Sequence, residues 1–197
     1  MKEDSKGPEL GRPEGGLEKE VAHFNVHKIS LMAVLLALAV ALGYLESLIP
    51  AFLPVGGAKL GFANIIIVIA LYELGIWEAA LIDIGKVVIV ALLRGSFLNV
   101  GFFMSLSGAL LSLLVMVLLK LLLRPLTELG VSAVGSIFHS FGQIAAYALI
   151  TANGAVFYWY CYLMPLSLLT GIFVGIAANR IIATGVIARQ KRQYGFD

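Results

Sequence analysis

Charge is scarce in this chain: Asp, Glu, Lys and Arg make up 13% of its 197 residues, about half the share usual in a soluble domain. The net charge of +2 leaves no basic surface for nucleic acid. Cys161 is the only cysteine, which excludes an internal disulfide and any cysteine-rich metal or iron–sulfur site. No G-x-x-x-x-G-K-[ST] stretch is present, so a P-loop is excluded, and no D-D-x-x-D run offers magnesium to a prenyl diphosphate. No Ser-His-Asp arrangement can be argued. Residues 1–27 have no apolar core of the signal-peptide kind.

What the chain has instead is apolar length. Hydrophobic residues are 60% of it and its mean hydropathy is +0.95. Crossing the hydrocarbon core takes roughly 20 apolar residues, so the expectation is an all-α integral membrane protein, a bundle of about six transmembrane helices. The spans fall at about 29–49, 59–74, 76–94, 100–123, 131–152 and 158–182, punctuated by Pro50, Pro54, Gly56, Gly57, Gly75 and Pro125. Residues 1–27 are polar and read as a disordered tail, residues 28–183 as the membrane domain, and residues 184–197 as a basic cytoplasmic tail.

Lys and Arg favour cytoplasmic loops. With the N-terminus inside, the inner segments hold Lys28, Lys120, Arg124, Arg180, Arg189, Lys191 and Arg192, and the outer ones only Lys59 and Arg94. This predicts a multi-pass protein of the cell (inner) membrane with both termini cytoplasmic. The turn between the second and third spans, with Glu73 and Glu78, adds no positive charge.

Charges inside spans are costly and normally have a task. At ~100° per residue, Arg94 lies about 20° from Asp83 and Lys86 about 60° to its other side, so all three share one face of the third span. Asp83 and Lys86 form either a self-cancelling pair or part of a site. His139 and Gln143 sit one turn apart near mid-membrane, with Ser136 beside them, as an inter-helix hydrogen-bond cluster or part of a ligand site or proton relay. His139 has no second intramembrane His to make a metal site; His23 and His27 belong to the tail. Glu46, Lys59 and Asn64 flank the loop after the first span and, with Arg94, form a polar outer mouth. Phe52, Phe97, Phe102, Phe103 and the aromatic run 157–162 lie at that level, as an interfacial belt would.

Small residues line up as well. Ala33, Ala37 and Ala41 form a stripe on the first span, either packed within the bundle or open to a separate membrane subunit. Gly101, Ser105, Gly108 and Ser112 share a face of the fourth span, and Gly171, Gly175 and Asn179 one of the sixth; both read as internal contacts.

The order of GAKLGFANIIIVIALYELG, LIDIGKVVIVALLRGSF, MSLSGALLS, GSIFHSFGQ and GIFVGIAANR along residues 29–183 resembles the family called Gx transporters, whose members are often labelled heptaprenyl diphosphate synthase component I. That family is similar to the substrate-binding S components of energy-coupling-factor (ECF) transporters. The resemblance implies a six-helix S-component fold, a site opening outward under the loop between the first two spans, and an alanine stripe on the first helix that docks a membrane coupling subunit bearing two ATPases. Related genes are associated with quinone, flavin and electron-transfer systems, which leaves the cargo open.

The expected function is therefore a substrate-binding component of an ECF-type importer or a derivative of one, which itself performs no chemistry and has no intrinsic cofactor. Its ligand is a small anionic or amphiphilic molecule. Lys59, Arg94 and Lys86 would face the ligand's negative groups, Glu46 and Asp83 would orient those cations, and Asn64, His139 and Gln143 would supply hydrogen bonds. The alternative is a noncatalytic membrane subunit beside electron-transfer subunits, holding a quinone, flavin or prenyl compound. Topology is testable by placing single cysteines at positions 5 and 98 in a chain with Cys161→Ser. An impermeant thiol reagent added to intact cells should label position 98 and spare position 5; labelling of position 5 contradicts the assigned orientation.

Overall fold

The computed structural model describes residues 26–48, 61–123 and 127–194. Lys59, the loop at 50–58, the tail at 1–25, Arg124 and Pro125 lie outside them. Within them the chain is helical: α1 (Val26–Leu48), α2 (Asn64–Glu73), α3 (Ile76–Leu93), α4 (Val100–Leu122), α5 (Glu128–Thr151), α6 (Phe157–Ala183) and α7 (Val186–Tyr194), with a one-turn 3-10 helix at Gly154–Val156 before α6. An all-α membrane protein is the result, with helices where the apolar runs predict six spans.

The six are not equivalent. Among the described residues, α1, α4, α5 and the Gly154–Ala183 segment are long and apolar enough to cross a membrane. α3 has 18 residues and so a length of ~27 Å, but it carries Glu78, Asp83 and Lys86. α2 departs most from expectation. It begins at Asn64 rather than near residue 59 and has ten residues, ~15 Å or half the hydrocarbon core.

Burial explains how so short a helix persists. Asn64 and every residue from Ile66 to Leu71 are buried, the pattern of a helix enclosed on all sides. α2 packs against α1, α3, α5 and α6 and forms the post of the largest apolar cluster, with Leu35, Ile82, Leu113, Met116, Val131 and Val174 around it. Its first N–H groups close tight turns, Asn64 to Gly61, Ile65 to Phe62 and Ile66 to Ala63. Irregular backbone at membrane depth persists only where protein or a polar cavity surrounds it.

Lysines hold the other end of α2. Lys120 Nζ donates to Leu71 O at 2.6 Å and Lys191 Nζ to Glu73 O at 3.0 Å. A helix leaves its last four carbonyls without intrahelical partners, and its negative dipole end favours cations. Lys28 pairs with Glu78 at 2.5 Å on the same side. The turn that looked devoid of positive charge is thus served by lysines from α1, α4 and α7. The tail at 184–197 is correspondingly more than a loose basic segment: α7 inserts Ile187 into the core, while Arg189 and Arg192 stay exposed. Gly75, at φ +143°, makes the two-residue turn to α3.

α5 packs along both α4 and α6, and small residues let it. A Cβ on Gly142 would stand 2.8 Å from Ser107 O, one on Gly171 2.7 Å from Ser136 Oγ, and one on Gly175 2.7 Å from Leu129 Cα. Ser132 Oγ donates to Gly171 O at 2.9 Å, and Ser140 and Ser167 share a short hydrogen bond. The stripes on α4 and α6 are internal contacts at Ser105, Gly108, Ser112, Gly171 and Gly175, all buried, whereas Asn179 is exposed and bonds Glu128 at 3.0 Å. Gly171→Val should therefore lower stability by about 1–3 kcal/mol, the usual range for overpacking. Gly101→Ala, with nothing within 4 Å of the added carbon, should not. Thermal unfolding in detergent reads the difference, and equal losses would refute the close α5–α6 contact.

Candidate functional site

Where α2 begins, the backbone opens a polar chamber inside the bundle. Gly61, at φ +89°, turns its N–H toward α1 and donates it to Glu46 Oε1. The left-handed conformation is one that only glycine adopts freely, and a Cβ there would also crowd Asn64 Nδ2 at 3.0 Å. Glu46 occupies the last turn of α1 and is buried, although its place near a loop had suggested an open mouth.

α3 supplies the charged pair. Lys86 Nζ donates to Asp83 Oδ1 at 2.6 Å and to Asn64 Oδ1 at 3.3 Å. All three residues are buried, at 6%, 2% and 3% exposure. Lys86 is ten residues into α3, ~15 Å along it, so the pair sits deep in the bundle. Mutual attraction, with the added bond to Asn64, offsets the cost of taking the two charges out of water. Gly43 leaves room for the lysine stem: a Cβ on it would lie 3.7 Å from Lys86 Cγ.

The orientation of the Asn64 amide follows from this bond. Its Oδ1 accepts from Lys86, so its Nδ2 faces the other way, and that buried nitrogen has no hydrogen-bond partner. His139 on α5 completes the wall. Its close approach to α4 depends on Gly108, where a Cβ would stand 2.8 Å from His139 O and 3.2 Å from its Cε1.

The chamber has a volume of about 30 Å³ and is lined by Glu46, Asn64, Lys86, Ser105 and His139 with Gly43, Gly61, Ala63, Val87 and Val90. It has space for one small polar group such as a water. Next to it lies a vestibule of about 400 Å³ with Arg94, Ser96, Asn99, Phe102, Tyr147 and Thr151 on its walls. Val87, Val90 and Ser105 line both. The vestibule is in the size range of small-molecule sites. Outside both, an apolar groove of about 690 Å³ runs between α4 and α5, bounded by Leu106, Leu110, Leu114, Leu149 and Ile150.

The residues singled out from sequence thus separate. Glu46, Asn64, Lys86 and His139 meet in the chamber. Asp83 stands behind Lys86 and holds it. Arg94 belongs to the vestibule and is exposed. Gln143 is buried against α4 near Gly108, where an added Cβ would stand 2.9 Å from its Cγ, and it does not line the chamber. Lys59 lies outside the described residues. Ala33, Ala37 and Ala41 are exposed, on the side of α1 that carries exposed Val34, Leu38 and Leu45. Sequence reasoning missed Gly43 and Gly61 as site residues, and Asn99 and Tyr147. For Gly43 the signal was its position one turn before Glu46.

Comparison with known proteins adds one match. The model of the family described as heptaprenyl diphosphate synthase component I matches residues 35–181, a stretch that contains the chamber and the vestibule. No curated protein and no solved structure matches the chain.

The ion pair yields a test. Lys86→Met and Asp83→Leu alone should each cost about 3–5 kcal/mol, because each leaves a buried charge without its partner, whereas the double variant should recover most of that loss. A double-variant cycle by thermal or denaturant unfolding measures it. Losses that simply add would mean that the two groups do not stabilise each other.

Proposed function

The chain belongs to the heptaprenyl diphosphate synthase component I family, and from that premise we propose that it is a membrane-embedded substrate-binding component of an ECF-type importer or a derivative of one. The observation that carries this reading is a buried polar chamber adjoining a vestibule of about 400 Å³ within a bundle of apolar helices. Such concave sites with a few convergent polar groups are the usual form of small-molecule binding. The ligand enters from the end that bears Arg94, taken as the outer side of the cell membrane. The opposite end, with Lys28, Lys120 and Lys191, is taken as cytoplasmic, in keeping with the distribution of basic residues.

In this reading the chain binds and releases, and its partners supply the energy. The site holds a short discontinuous helix whose N-terminus points into a cavity, an arrangement that transporters use to meet substrate groups. At the site's edge Gly61, just before α2, is tied to α1 by its bond to Glu46. A coupling subunit with two ATPases docks on α1. What supports this is the exposure of Ala33, Ala37 and Ala41 together with the position of α1, the least covered of the four long apolar helices, with 22% of its apolar window buried against 44% for α4 and α5. Small residues on an open helix face permit another helix to approach closely.

A second reading has its own observation. The apolar groove between α4 and α5 has room for a prenyl or quinone tail, which suits a noncatalytic subunit of a redox or isoprenoid-linked membrane assembly. The two readings differ in what the protein carries and in what it touches. Native mass spectrometry of gently extracted protein separates them. The importer reading expects a polar small molecule and an ATPase-bearing complex. It also expects Ala37→Leu to lose the complex while keeping the small molecule and the fold. An unchanged complex in Ala37→Leu assigns the stripe to lipid, and a quinone or prenyl adduct with no ATPase favours the second reading.

A further inference from the structure

The chamber and the vestibule differ in chemistry, and the difference specifies the ligand class, provided that this site is the ligand site proposed above. Among the described residues the Lys86 ammonium is already paired with Asp83 and bonded to Asn64, which makes it a poor receptor for an anion. Glu46 adds a second carboxyl group to its wall. Among the described residues no group of three or more His, Cys, Asp or Glu is placed to hold a metal ion. Among the described residues the chamber offers a buried donor without a partner, Asn64 Nδ2, beside the Glu46 carboxyl, whose Oε1 accepts from Gly61 N–H, with the His139 ring on the same wall. The carboxyl and the amide flank Gly61: its N–H bonds the carboxyl, and its Cα faces the amide nitrogen.

A neighbouring donor and acceptor are matched by a group that presents the reverse pair, a C=O to accept from Asn64 and an N–H to donate to Glu46. An amide, lactam or imide edge presents that pair without net charge. Size points the same way. A volume of about 30 Å³ admits the edge of such a group and no more, while the body fits the vestibule of about 400 Å³, where Phe102 and Tyr147 provide aromatic surface and Arg94 a guanidinium. Arginine pairs well with carboxylate or phosphate through two parallel hydrogen bonds. We propose that the chamber reads a neutral N–H/C=O edge of a ligand whose anionic part lies at Arg94. The anionic group expected from sequence to meet Lys86 thereby moves outward to Arg94.

The test uses three small probes on the full chain in detergent, by calorimetry and thermal shift. Orotate carries a cyclic N–H/C=O edge and a carboxylate, 1,3-dimethylorotate lacks both N–H donors, and benzoate keeps only the ring and the carboxylate. Orotate should bind at least about tenfold more tightly than the other two, as expected when a mismatched probe leaves buried polar groups unsatisfied. Asn64→Leu should remove that preference, and Arg94→Gln should weaken all three probes alike. Equal affinity of the three probes for the wild-type protein, or no binding of orotate at millimolar concentration, overturns the proposal. The wild-type comparison does not depend on whether Asn64→Leu folds. Co-purification of an ATPase partner is a separate measurement, so a failed importer reading and a failed edge-reading chamber give different results.

Discussion

The Lys86 ammonium, bonded to Asp83 at 2.6 Å and to Asn64 at 3.3 Å, joins α3 to the first residue of a helix that starts inside the bundle. Much of the site depends on this contact. It fixes the Asn64 amide, and with it the direction in which the free Nδ2 donor points. It also places a lysine deep in an apolar bundle, which is tolerable only with a carboxylate beside it. Replacing either charge would therefore disturb the start of α2 as well as the pair itself. A packed apolar bundle needs no such arrangement, and its desolvation cost is the reason to look for function there.

The same economy is visible at the two ends of α2. One end is closed by lysines from α4 and α7 on its last carbonyls. The other opens on a cavity lined by residues from α1, α3, α4 and α5. A helix of ten residues could not hold this position by itself, since helices of that length are marginal even in water. Enclosure by α1, α3, α5 and α6 holds it. The site is accordingly built on helices, with Glu46 on α1 bonded to Gly61 at its edge.

Much of this was legible in the sequence. Apolar runs bounded by Gly75 and Pro125 locate the helices, because hydrocarbon length and backbone hydrogen bonding leave few alternatives. The i, i+3 spacing put Asp83 and Lys86 on one face, where they bond. The small residues Gly108, Gly171 and Gly175 marked close packing correctly. Other features depended on tertiary context. The start of α2 was placed too early because LGFA continues the apolar run, and hydropathy does not register that Gly61 has turned. Helical phase put Gln143 beside His139, and both lie against Gly108 of α4, though which of them lines the chamber depends on tertiary context. Glu46 looked like a loop-side residue because its burial comes from helices distant in sequence. The helix at α7 escaped notice because a basic segment reads as solvated until Ile187 and Lys191 are seen to anchor it.

The central claim is that a ligand binds where α2 begins, across the chamber and the vestibule, rather than on the outer surface of the bundle. An experimental structure of the protein purified from its own membrane, without added ligand, tests it most directly. The account predicts density of a bound small molecule in the vestibule, in contact with Arg94 and with one polar edge at Asn64 Nδ2. Density confined to the α4–α5 groove, with Asn64 Nδ2 bonded only to protein, would contradict it.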